Sequence, residues 1–106
     1  MVIQVQDLVL ELPLQRAVLG GRPLRLTPCE FKLLWHVFQY RGEILSHGWL
    51  LLNIWGYPPN RMESRTVAAH VCRLRAKLGN YAGLVETVWE EGYRYNWEHY
   101  GPPLFR

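Results

Sequence analysis

From Arg65 to Gly79 the chain reads Arg-Thr-Val-Ala-Ala-His-Val-Cys-Arg-Leu-Arg-Ala-Lys-Leu-Gly. Val67, Val71, Leu74 and Leu78 recur at i, i+4, i+7 and i+11, one apolar stripe at helical period. At about 100° per residue the far side carries Arg65, Ala69, Cys72, Arg73 and Ala76. Thr66 and His70 fall on one flank, Ala68 and Arg75 on the other. Ser64 suits the N-cap and Gly79 the stop after Lys77. The spacing predicts an amphipathic helix over 65–78, dry on one face and basic on the other, with small residues between the bases.

The pattern elsewhere is mixed. Val2–Val5, Leu8–Leu12, Arg16–Leu19 and Pro23–Leu26 are short β-type runs, and Gly20-Gly21 between two of them signals a hairpin. An N-terminal antiparallel sheet follows. Thr27-Pro28-Cys29-Glu30 is a helix start, with Thr27 as N-cap, Pro28 at N1 and Glu30 closing a capping box. Glu30 is therefore read as structural. Phe31, Leu34, Trp35 and Phe38 form that helix's core stripe, and Arg41-Gly42 ends it. Ser46 caps a second helix running to Trp55 and stopping at Gly56. Leu50, Leu51, Ile54 and Trp55 face inward. Trp49 and Leu52 fall on the other side, as a satellite cluster or a partner surface.

Gly56–Glu63 is a loop because Pro58-Pro59 forbid helix. Asn80–Gly83 reads as a turn. Leu84–Trp89 and Tyr93–Trp97 are β-rich runs joined by Glu90-Glu91-Gly92, a second hairpin. Residues 98–106, with Pro102-Pro103, lack periodicity and are expected to fray. The fold class is α+β: an N-terminal antiparallel sheet, three helices and a C-terminal β-hairpin wing, the winged helix-turn-helix arrangement. Residues 1–97 form the domain and residues 98–106 a flexible tail.

Composition adds limits. A chain of 106 residues makes one domain, and 49% apolar residues allow a sizeable core. Apolar runs of only a few residues predict no membrane span and no signal peptide, hence a cytoplasmic location. Five bases (Arg61, Arg65, Arg73, Arg75, Lys77) and one acid (Glu63) lie between Arg61 and Lys77, a balance of +4 against +3 for the whole chain. The positive charge is thus local to this segment. Guanidinium groups bind phosphates and guanine edges, although a charge run is also the ordinary surface of a solvated helix.

Catalytic and metal signals are missing. Cys29 and Cys72 stand apart without a CxxC pair, which argues against a disulfide framework. His36, His47, His70 and His99 are scattered, with no Ser/His/Asp or Cys/His set and no Gly-rich phosphate loop. His70 and Cys72, two residues apart, face different sides of a helix, wrong for a shared metal. No enzyme, cofactor, metal or small-molecule substrate is expected. Cys29, near a helix N-terminus where a thiol pKa can fall, is read as structural.

Several runs together resemble one family. They are Leu26-Thr27-Pro28-Cys29-Glu30-Phe31-Lys32-Leu33-Leu34, Ile54-Trp55-Gly56, Arg65-Thr66-Val67 with His70-Val71, Arg73-Leu74-Arg75 and Lys77-Leu78, and Glu86-Thr87-Val88 with Gly92-Tyr93-Arg94. From about Leu8 to Trp97 the chain resembles the OmpR/PhoB-type DNA-binding domains, output domains of bacterial two-component response regulators. The resemblance implies sequence-specific binding to promoter double-stranded DNA, commonly as a tandem head-to-tail homodimer on direct repeats. It implies major-groove contacts from Arg65, His70, Arg73 and Arg75. It implies backbone-positioning roles for Thr66, Trp55, Thr87 and Tyr93, and a phosphate contact at His47. Cys72, Lys77 and Arg94 complete the DNA-binding set. The loop with Tyr57, Pro58, Pro59, Asn60 and Arg61 matches the family's surface for RNA polymerase.

The chain departs from the family pattern in its wing. Trp89-Glu90-Glu91-Gly92-Tyr93-Arg94 stands where the family reads Arg-Gly-x-Gly-Tyr-Arg, so Trp89 replaces an arginine and the two carboxylates beside it would repel phosphate. Ala68 and Cys72 replace polar or basic residues, which reduces base readout there to apolar contact such as a thymine methyl. Gly48, Trp49 and Leu52 replace a usually charged set. The competing reading is a winged-helix protein-interaction module with weakened DNA binding.

Overall fold

The computed structural model describes residues 1–57 and 64–106, at Ser64 the backbone only. Four strands open the chain: β1 (Val2–Val5), β2 (Leu8–Glu11), β3 (Arg16–Leu19) and β4 (Arg22–Leu24). They pair antiparallel in chain order. Gly20 and Gly21 take positive φ between the paired residues Leu19 and Arg22, as a two-residue hairpin requires. Alternation decides burial, with Ile3, Val5, Leu8, Leu10 and Ala17 turned inward. Pro23 sits on the edge strand β4, where its missing donor does least harm.

Helix α1 (Pro28–Gln39) begins with the full capping box. The Glu30 N–H donates to Thr27 Oγ1 at 3.2 Å, and the Thr27 N–H donates to Glu30 Oε1 at 2.9 Å. Phe31, Leu34 and Phe38 are buried as expected and Trp35 is half-buried; Leu33 and Val37 are buried too, because one continuous core surrounds the helix. Helix α2 (His47–Leu50) starts under Ser46, whose Oγ accepts from the Trp49 N–H at 3.1 Å. The single helix expected to Trp55 divides here. After one α turn, Leu51–Trp55 widen into a π turn, which Gly56 ends at φ 74°. Trp49 does not join Leu52. Its ring centroid lies 5.1 Å from that of Tyr40 and 5.6 Å from that of His36, so it fills the junction of α1 and α2 while Leu52 stays exposed.

Helix α3 (Ser64–Leu78) buries all four residues of its predicted stripe, Val67, Val71, Leu74 and Leu78. Ser64, expected as the cap, is instead the first helical residue. Gly79 follows at φ 58°, and Gly79–Leu84 continue as a 3-10 helix rather than a simple turn. The wing consists of β5 (Val85–Val88) and β6 (Gly92–Tyr95), slightly shorter than the β-rich runs. Val88 pairs with Gly92, leaving Trp89-Glu90-Glu91 as the tip with Glu90 at φ 64°.

Residues 98–106, expected from the sequence as a fraying tail, carry regular elements. Trp97–Tyr100 form a helical turn (α4) and Leu104–Phe105 a strand (β7) that pairs antiparallel with β1, the fifth strand of the first sheet. Val2 and Arg106 exchange two backbone hydrogen bonds of 2.8 Å. Pro103 is buried, the Arg41 guanidinium lies 4.5 Å over the Phe105 ring, and the Tyr95 hydroxyl donates to the Gly101 carbonyl at 2.6 Å. A two-residue strand has no periodicity to read. It is ordered by partners at the other end of the chain.

Candidate nucleic-acid interface

The exposed side of α3 carries Arg65, Ala68, Ala69, Cys72, Arg73 and Ala76, a cationic surface with small residues between the arginines. Arg65 is exposed and makes no hydrogen bond or ion pair within the described residues. Cys72 is a free, exposed thiol. Thr66 and His70 are half-buried beside them. His70 Nδ1 lies 2.8 Å from the Thr66 carbonyl, which can only accept, so this nitrogen carries the proton. The His70 ring stands edge-on to Trp55 at 4.9 Å, tying the end of the π turn to α3.

The other bases of α3 have partners inside the fold. The Lys77 ammonium donates to Glu30 Oε1 at 2.6 Å, and Arg73 Nε lies 3.9 Å from Glu30 Oε2. Glu30 is fully buried. Burial pushes its carboxyl up, but the Lys77 ammonium and the hydrogen bonds with Thr27 outweigh this and hold it below the ordinary carboxylate range. Arg75 turns onto the wing. Its Nε and Nη2 donate to the Val85 carbonyl at 3.1 and 2.5 Å, Nη2 donates also to Thr87 Oγ1 at 2.8 Å, and the guanidinium lies 5.8 Å from the Tyr93 ring centroid.

Tyr93 is buried and meets the half-buried His47 edge-on at 5.3 Å. Arg94 is paired across the wing with Glu86 at 2.7 Å. The wing is held at its root by Leu45 and Tyr93, which exchange backbone hydrogen bonds of 2.7 and 3.0 Å. Gly92 permits this approach: at φ 147°, a Cβ there would overlap the Leu45 carbonyl. Trp89 at the tip is 83% exposed, with Glu90 and Glu91 exposed beside it.

The sequence-predicted residues fall into two groups, one along α3 and one on the wing, with Arg94 on the opposite face of the hairpin from Tyr93. Arg65, Thr66, His70, Cys72 and Arg73 line α3 with Trp55 beside His70, while Thr87, Tyr93, Arg94 and His47 surround the wing root. Tyr57 is half-buried against the core, and Pro58, Pro59, Asn60 and Arg61 lie outside the described residues. Two features were missed from sequence. Glu30 reaches across to α3, a role for which Arg73 and Lys77 at i, i+4 were the available signal. Gly92 serves as a close-approach residue. Among the described residues no group of three His, Cys, Asp or Glu gathers to hold a metal, and no helix is long and apolar enough to cross a membrane.

The first sheet, helices α1 to α3 and the hairpin wing, with the cationic α3 beside that wing, define a winged-helix domain. The chain belongs to the family described as "Transcriptional regulatory protein, C terminal", whose model matches residues 21–95; these are DNA-binding domains of the OmpR/PhoB type. It is 37% identical over 97 residues to the phosphate regulon transcriptional regulatory protein PhoB of Escherichia coli strain K12, covering 90% of this chain and 42% of that protein. It is 36% identical over 91 residues to the regulatory protein VanRc of Enterococcus gallinarum, covering 81% of this chain and 38% of that one. The chain thus spans less than half the length of these relatives. Among solved structures, the DNA-binding domain of RstA from Klebsiella pneumoniae, in complex with the RstA box, superposes with a TM-score of 0.78 at 28% identity, over 89% of this chain and 95% of that one. The DNA-binding domain of CpxR from E. coli gives a TM-score of 0.78 at 28% identity, over 90% and 95%.

Proposed function

We propose that this chain binds promoter double-stranded DNA sequence-specifically, as the output domain of a transcriptional regulator, with α3 in the major groove. The observation that carries the reading is the exposed face of α3, on which two arginines flank small side chains, in a fold shared with a domain solved on DNA. Arg65 and Arg73 are the leading contacts for phosphate or guanine. Thr66, His70 and Cys72 line the same face, and Ala68 and Cys72 offer apolar contact to a thymine methyl. Trp55, His47, Thr87, Tyr93 and Arg94 position the backbone-facing groups. Arg75 and Lys77 act chiefly through their internal partners. Tandem dimerisation, a polymerase surface around residues 57–61, a cytoplasmic location and the absence of catalysis complete the proposal.

Selection of bound sequences from a random duplex pool, followed by affinity measurement at two salt concentrations, tests it. Enrichment of a defined site, with a log–log salt slope of about −0.9 per phosphate contacted, is the expected outcome. No enriched site, or a flat salt response, overturns it. One observation favours a second reading: the wing presents an exposed Trp89 between Val88 and two carboxylates, a surface suited to a cationic protein partner. A flat salt response would favour that interaction module.

A further inference from the structure

We infer that Glu30 is a positioning residue for DNA recognition: its buried carboxylate orients the Arg73 guanidinium so that both terminal nitrogens face outward. The inference rests on the DNA-binding reading above and names the group that makes Arg73 specific. Four observations carry it. Glu30 is fully buried, so its carboxylate is fixed by its surroundings. Oε1 is occupied, accepting from the Thr27 N–H at 2.9 Å and from Lys77 at 2.6 Å. Oε2 is buried and has no hydrogen-bond partner among the described residues. The nitrogen of Arg73 nearest to it is Nε, at 3.9 Å, while the Arg73 side chain remains 56% exposed.

The chemistry follows from the guanidinium's shape. It is planar and offers five donors along fixed edges. A carboxylate near Nε biases the orientation of the plane without consuming the Nη1/Nη2 edge, which has no hydrogen-bond partner among the described residues. That edge can read guanine O6 and N7 or grip a phosphate in bidentate fashion. A lysine at the same place would have a point charge and no such edge. Lys77 supplies the other half of the device. It holds Oε1, so the carboxylate cannot rotate away from α3, and it offsets the negative charge that would otherwise lie buried behind a DNA-facing helix.

The test uses the whole chain, its selected duplex and an unrelated duplex of equal length. Glu30→Gln preserves the capping box, since Gln serves at N3 as Glu does, but removes the charge. The ratio of specific to non-specific affinity should fall about tenfold or more, the range of one bidentate base contact. Non-specific affinity should hold or rise, since a negative charge near the interface is gone. A merely destabilised fold lowers both affinities together. In an Arg73→Ala background the same Glu30 change should leave the ratio untouched, because Glu30 acts through Arg73. Should Glu30→Gln fail to fold, Arg73→Lys tests the guanidinium edge on which the inference depends: the ratio should fall while charge is kept. A ratio unchanged in Glu30→Gln, an equal fall in the Arg73→Ala background, or full specificity in Arg73→Lys overturns the inference. If the unaltered chain selects no site at all, the DNA-binding reading itself is overturned, and this inference with it.

Discussion

Helix α3 and the wing sit side by side yet carry opposite chemistry. Helix α3 has four cations between Arg65 and Lys77 and no acid, whereas the wing from Val85 to Tyr95 has Glu86, Glu90 and Glu91 against a single Arg94. On charge alone the helix attracts DNA and the wing repels it. The structure narrows the contrast. Lys77 faces the buried Glu30, Arg75 is bonded to Val85 and Thr87, and Arg94 is neutralised by Glu86. The outward charge of α3 thus reduces to Arg65 and the Nη edge of Arg73, and that of the wing to Glu90 and Glu91. Arg75 joins the two regions: a base counted as DNA-facing in the sequence holds the acidic hairpin in place. Counting cations overestimates a binding face wherever a neighbouring element presents carbonyls and carboxylates within reach of the same side chains.

Breaking the joint between the regions gives the largest expected effect. Gly92→Ala puts a Cβ into the Leu45 carbonyl at a backbone angle rarely open to L side chains. A loss on the order of 3 kcal/mol is expected, at the upper end for strained or overpacked sites. Chemical denaturation measures it, and a change under about 1 kcal/mol would show that the wing root is not tightly held.

Arg75→Gln probes the tie between α3 and the wing. It removes the bonds to the Val85 carbonyl and Thr87 hydroxyl, at about 1–2 kcal/mol. Wing amides should exchange faster while the salt slope of DNA binding barely moves. A slope shallower by about 0.9 would instead mark Arg75 as a phosphate contact. The smallest effect belongs to the wing tip. Glu90→Gln with Glu91→Gln should strengthen non-specific duplex binding by under about 1 kcal/mol, the scale of exposed charge interactions. Unchanged affinity would place the tip away from the phosphates.

Legibility in the sequence followed the range of the interactions. The capping box at Thr27 and Glu30, the Gly20-Gly21 hairpin and the buried stripe of α3 were all readable, because each depends on residues a few positions apart. The π turn after Leu50 and the placement of Trp49 against Tyr40 were not, since both depend on how α2 meets α1. The elements of the last residues are illegible for a related reason. Leu104 and Phe105 pair with Gln4 and Ile3, about a hundred positions away in the chain, and Arg41 covers the Phe105 ring. Glu30 shows both cases in one side chain: its bonds with Thr27 were legible, whereas its approach to Arg73 and Lys77 was not.

By itself the sequence determined the kind and order of the elements, the dry face of α3 and the chemistry available on its wet face. Periodicity, caps and turn residues act locally, and a single chain displays them. The tertiary structure alone decided which of the arginines and lysines remain free. That depends on where the packing of α1, α3 and the wing sets one buried carboxylate and a carbonyl at the edge of the wing, and a charge is available for DNA only if no such group lies closer.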